Sequence, residues 1–154
     1  MMRAMTRRKT ASAALVGVAL LWLAHVAGAQ SNQSAELFHA RLSPVPINIA
    51  MMTTVAGDGS LTATLSGKQL TIQGTFEGLR SPATTAQIHR SPKGIPGPAV
   101  PNTDLTVTKA MKGDISATLE LTTDQISDLR AGRWYVQIQS ERAPDGNLWG
   151  WLLR

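Results

Sequence analysis

Beyond residue 35 the chain is written largely in a two-residue rhythm. Leu61, Ala63 and Leu65 alternate with Thr62, Thr64 and Ser66, and after Gly67-Lys68-Gln69 the rhythm resumes with Leu70, Ile72, Gly74 and Phe76 against Thr71, Gln73 and Thr75. Successive side chains of a strand point to opposite faces, so these runs predict two half-buried strands joined as a hairpin. Glu36–Leu42 predicts an earlier strand ended by Pro44 and Pro46, and the stretch through Met51 and Met52 carries no pattern. Thr84–His89 predicts a strand with Ala86 and Ile88 on one face and Gln87 and His89 on the other. Leu105 with Val107, and Ile115 with Ala117 and Leu119, predict a second hairpin about Met111-Lys112-Gly113. Two more strands follow, Trp134–Ser140 and Asn147–Leu153, with a turn at Ala143-Pro144-Asp145-Gly146.

Two segments break the rhythm for chemical reasons. Ser91–Pro101 holds four prolines and two glycines, which resist both helix and central strand, so it is expected to be a loop lying over a face or an edge. Thr122-Thr123-Asp124-Gln125 has the form of a capping box and predicts one short helix reaching about Arg130, stopped by Gly132. The expectation is an all-β fold, a Greek-key antiparallel sandwich or barrel of about eight strands with one short helix.

The first 29 residues follow a different logic. Arg3, Arg7, Arg8 and Lys9 precede an apolar stretch from Ala11 to Ala27, and Ala27-Gly28-Ala29 has the small residues of a peptidase site. The stretch is shorter than the roughly 20 apolar residues of a membrane span, and His25 interrupts it. It reads as an export signal cleaved near Ala29, leaving one β-domain over residues 30–154, secreted or periplasmic. Lys9-Thr10-Ala11 lacks the apolar residues expected after a twin-arginine pair, so general secretion is the expected route.

Removing the signal also removes the charge excess. The whole chain carries +5, but four of its fifteen cations and none of its ten anions lie before residue 30, leaving +1. The balance that would suggest nucleic acid or an anionic membrane as partner therefore belongs to the signal and not to the domain. With no cysteine in the chain, disulfides, thiolate metal sites and a cysteine nucleophile are excluded.

Several motifs in order give the chain a resemblance. Phe38-x-Ala40-x-Leu42-Ser43, Gly78-Leu79, Ser81-Pro82-Ala83-Thr84, Gly94-Ile95-Pro96-Gly97-Pro98, Leu129-x-x-Gly132, Tyr135-Val136 and Pro144-x-Gly146-x-Leu148-x-Gly150 together resemble a CHRD domain, the module repeated in chordin and found singly in many exported bacterial proteins. The resemblance implies an extracytoplasmic β-domain with no established catalytic activity. It also implies three histidines, two in Ala-His-Ile-His and one in Tyr-Val-x-x-His, where this chain has Gln87, His89 and Gln139. That histidine spacing is similar to the copper-holding strands of Cu/Zn superoxide dismutases, an analogy of layout that does not transfer function.

The chemistry left open is narrow. Amide oxygens at Gln87 and Gln139 are poor replacements for imidazoles, and His39 lies on a remote strand, so no metal or other cofactor is expected, with a metal carrier or metal-dependent enzyme as the alternative. No serine or threonine sits in an elbow motif with a suitably spaced histidine and carboxylate, and Asp58, Asp104, Asp114 and Asp145 read as turn formers, so no catalytic residues are assigned. The leading expectation is a non-catalytic binding or structural module, with an unidentified protein or carbohydrate as partner and neither nucleic acid nor, once the signal is gone, membrane. A third reading rests on Trp149 and Trp151, where the family commonly carries polar residues. If the faces align, both lie on the outward side with Tyr135, Gln137, Gln139, Gln87 and His89, a patch able to stack on a sugar or anchor a protein. Alternatively both tryptophans are packed away under the proline loop or the N-terminal strand, as large aromatics usually are.

Overall fold

A computed structural model describes residues 34–154; the export signal read over residues 1–29 lies outside them. Every alternating run becomes a strand: β1 (Glu36–Pro44), β2 (Asp58–Ser66), β3 (Gln69–Glu77), β4 (Ala83–Arg90), β5 (Ala99–Val107), β6 (Gly113–Glu120), β7 (Trp134–Ser140) and β8 (Ala143–Trp151). All pairings are antiparallel, and the strands close into a barrel in the order β1-β2-β3-β6-β5-β4-β7-β8. The hairpin-linked strands β4, β5 and β6 lie between β3 and β7, so the chain returns beside β4 only after the β6–β7 crossover, the Greek-key arrangement. No helix among the described residues is long and apolar enough to cross a membrane.

The barrel interior is filled by the apolar half of each alternation. Phe38, Ala40 and Leu42 of β1, Leu61, Ala63 and Leu65 of β2, and Leu70, Ile72 and Phe76 of β3 meet Ile88, Ile115, Val136, Ile138, Leu148 and Leu152. One end is covered by α1 (Thr123–Arg130), which lays Ile126 and Leu129 on the core. Its capping box forms as expected: the Gln125 amide donates to the Thr122 hydroxyl at 3.2 Å and the Thr122 amide to the Gln125 side chain at 2.8 Å. The seam that closes the barrel is sparse. Between β1 and β8 only Ser43 with Trp149 and Pro44 with Leu148 pair in the ladder, and beyond Trp151 the His39 and Leu153 backbones exchange bonds of 2.7 and 2.9 Å.

Two local expectations are corrected, and one stretch without a pattern gains a structure. The proline loop ends at Pro98 and not Pro101, because residues 100–103 bulge opposite Ile88 alone, with Asn102 at φ +59° and the Thr103 hydroxyl donating to the Val100 carbonyl at 2.7 Å. The β7–β8 turn is Glu141-Arg142 and not Ala143–Gly146. It is fixed from outside the hairpin, where the Glu141 amide donates to the Pro82 carbonyl and the Arg142 amide to the Ser81 hydroxyl, both at 3.0 Å. The turn-like residues 144–147 instead bulge opposite Gln139 alone. The unpatterned stretch holds a 3-10 helix, Ile49–Thr53, capped by the Asn48 side chain, which accepts from the Met51 amide at 3.1 Å.

Candidate functional site

Strands β4, β7 and β8 bring the expected residues to one outward face in two rows. His89, Tyr135 and Trp151 pair across one row, and Gln87, Gln137 and Trp149 across the next. The alternation read in β8 holds, since Leu148 and Leu152 enter the barrel core while Trp149 and Trp151 form a separate cluster with Tyr135 on the opposite side. The barrel wall is therefore apolar on both faces here, which is why β7 is buried along almost its whole length.

The second cluster is covered by the proline loop. Gly97 is the fastening: its amide donates to the Tyr135 hydroxyl at 2.9 Å, and its carbonyl accepts from His89 Nδ1 at 2.9 Å and from the Tyr135 hydroxyl at 3.2 Å. A carbonyl only accepts, so the His89 proton in this contact sits on Nδ1, and Nε2 is left buried without a partner among the described residues. Trp151 Nε1 donates to the Ser91 carbonyl at 3.3 Å. A side chain at Gly97 would stand 2.1 Å from the Arg90 carbonyl oxygen, so only glycine lets the loop approach this closely. Beneath it the rings of His89 and Tyr135 stack at 5.1 Å, Tyr135 meets Trp151 at 4.6 Å, and Trp151 meets Trp149 edge-on at 4.7 Å.

This arrangement changes the expected patch. Trp149 and Trp151 are only 9% and 8% exposed, and Tyr135 1%, so the indoles offer no open stacking platform. The amides are also taken up locally. Gln87 Nε2 donates to Asp104 Oδ1 at 2.7 Å, Gln137 Nε2 donates to the Asp145 carbonyl at 3.0 Å, and Gln139 Oε1 accepts from the Thr85 hydroxyl. Asp104, read as a turn former, is a mid-strand partner for Gln87. His89 and Gln139 face Tyr135 and Thr85 across the β4–β7 ladder, four residues apart along it, which is about 13 Å of strand and too far to share one ion. Among the described residues no group of three His, Asp or Glu side chains could hold a metal ion.

What remains open is a slot of about 370 Å³ on the seam side of the aromatic cluster. Trp149, Trp151 and Leu153 form its floor, His39 and Arg41 of β1 one wall and Lys93 of the proline loop the other. His39 is three strands away from His89, as expected of a remote strand, yet it lies directly beside β8 because β1 closes the barrel there. Of the wall residues only His39 was weighed from the sequence, and then as a remote ligand; Arg41 and Lys93 were not. Their signal was present, since His39, Arg41 and Ser43 alternate with Phe38, Ala40 and Leu42, but nothing local tells which strand they flank. Two larger depressions, of about 1060 and 960 Å³, carry weaker chemistry. The first is crossed by ion pairs of Glu36 with Arg130 and Arg154, and the second mixes Arg41 and Lys112 with Asp58, Glu77 and Asp114.

An eight-stranded Greek-key barrel with a loop-roofed aromatic cluster and a small basic slot on its outer wall defines the class of protein. The CHRD domain model matches residues 34–152, and the chain belongs to the CHRD domain family. No curated protein and no solved structure matches it.

Proposed function

We propose that this CHRD protein is a non-catalytic binding module, secreted or periplasmic, that holds a small ligand or the end of a larger one in the slot beside Trp149 and Trp151. The observation that carries this reading is the pairing of a rigid floor with a pocket of ligand size. Tyr135 is fastened by Gly97 and Trp151 by the Ser91 carbonyl, Trp149 packs edge-on against both, and the cavity next to them falls within the range of about 300–1,000 Å³ typical of small-molecule sites. Preorganised aromatic walls lower the cost of ordering on binding. Binding is favoured over turnover by the slot's own chemistry. Ser43 and His39 both line it, but four residues apart on one strand they are about 13 Å from each other, far beyond the reach of a base and its nucleophile, and no carboxylate lines the slot. The basic, apolar and small-residue segments over residues 1–29 support export.

A printed array of neutral and acidic oligosaccharides and short peptides tests this reading. The wild-type protein is expected to be retained on a subset of spots without altering them. Ser43→Trp, which fills the slot from an exposed position, is expected to lose that retention. Equal retention of both proteins, retention of neither, or conversion of a retained compound would refute the reading.

A further inference from the structure

The walls of the slot carry one sign of charge. His39, Arg41 and Lys93 line it and no Asp or Glu does; His39 and Arg41 also border the neighbouring depression that holds Asp58, Glu77 and Asp114, but among the described residues neither Arg41 nor Lys93 makes an ion pair. The floor is mainly apolar: Trp151 turns its indole N–H away to the Ser91 carbonyl, and Leu153 lies beside it. The size admits about one ring. A ligand that satisfies both features has an apolar ring body and an anionic group at one edge.

We propose that the slot recognises a carboxylate carried on a ring, the ring body set edgewise against Leu153 and the narrow exposed strip of Trp149 and Trp151, and the carboxylate between Arg41 and Lys93. This rests on the binding-module reading and names its ligand class. A guanidinium can grip a carboxylate through two parallel N–H donors, while a lysine serves as a compact charge, so Arg41 fixes orientation and Lys93 adds attraction. Both reach from separate elements, β1 and the proline loop, so a bound carboxylate bridges the strand to the loop. Two sources share this chemistry, a uronic acid residue of a saccharide and a free aromatic acid.

The test is a titration of purified protein, followed by tryptophan fluorescence and calorimetry, with digalacturonate, its dimethyl ester and 4-hydroxybenzoate. At low salt the free uronate is expected to bind at least about fivefold more tightly than its ester, which keeps the ring and loses the charge. Raising the salt from about 20 to about 500 mM is expected to weaken the acid and leave the ester unchanged. The Arg41→Ala/Lys93→Ala variant, altered only at exposed side chains, is expected to bring the acid down to the ester's affinity with an unchanged melting temperature. Binding of 4-hydroxybenzoate without the uronate would support the proposal and assign the source to aromatic acids. Equal affinity for acid and ester would overturn it while leaving the binding module standing. Silence of all three probes would also overturn it, and the array then decides the fate of the module separately.

Discussion

Replacing Gly97 by alanine tests the fastening that holds the aromatic cluster. The added methyl would lie 2.1 Å from the Arg90 carbonyl oxygen and 2.8 Å from the Ser91 side chain, and backbone on a paired strand does not yield by that much, so the loop must lift. Lifting breaks three contacts: the two-way bond between Gly97 and the Tyr135 hydroxyl, taken as one, the His89 Nδ1 bond to Gly97, and the neighbouring Arg90 amide bond to the Pro98 carbonyl at 3.0 Å. At about 1 kcal/mol net for each, the loss is about 3 kcal/mol. Alanine recovers about 0.4–1 kcal/mol by narrowing the unfolded ensemble, leaving roughly 2 kcal/mol. For a domain of this size that is a fall in melting temperature of about 8 °C. Calorimetry measures it, and acrylamide quenching of tryptophan fluorescence should rise as Trp151 loses its cover. Tyr135→Phe removes the hydroxyl without the clash and should cost about 1–2 kcal/mol alone. In the double variant the two losses should overlap rather than add, because both act on the same contact. An unchanged melting temperature and quenching constant for Gly97→Ala would show that the loop does not fasten the cluster.

Two further outcomes follow from the packing. Gly150→Ala places a methyl 2.5 Å from the Arg41 carbonyl oxygen at the β1–β8 seam, so it should destabilise the domain by about 2 kcal/mol or more in urea unfolding, with slow hydrogen exchange lost first at His39 and Leu153. Thr122→Ala removes one half of the capping box and should cost about 1 kcal/mol, read as a shifted urea midpoint with an unchanged slope.

Local patterns carried most of the fold. The β2–β3 hairpin, the capping box and the inward or outward sense of Leu148 through Leu152 each depend on residues within a few positions of one another, and such spacing is visible along the chain. The misplaced β7–β8 turn shows the limit. Pro144, Asp145 and Gly146 have turn chemistry, but Ser81 and Pro82, some sixty positions earlier, hold Glu141 and Arg142 in the turn and leave the expected residues to bulge. The site was legible on one side only. Register placed Tyr135, Trp149 and Trp151 on one face, while the basic wall depends on β1 meeting β8, a pairing made by backbone bonds and announced by no side chain.

The sparse seam between β1 and β8 also bears on when the fold can be completed. It joins the beginning of the domain to its end, so a chain still emerging from a ribosome or an export channel has every other strand pairing available before the His39–Leu153 bridge. Until Leu153 is free, β1 and β8 are joined in the ladder only through Ser43–Trp149 and Pro44–Leu148, and Trp151 lies beside unpaired backbone that invites association with a neighbouring chain. A truncation that removes Leu152 to Arg154 would therefore be expected to show itself first as aggregation during production, before any loss of the hairpins.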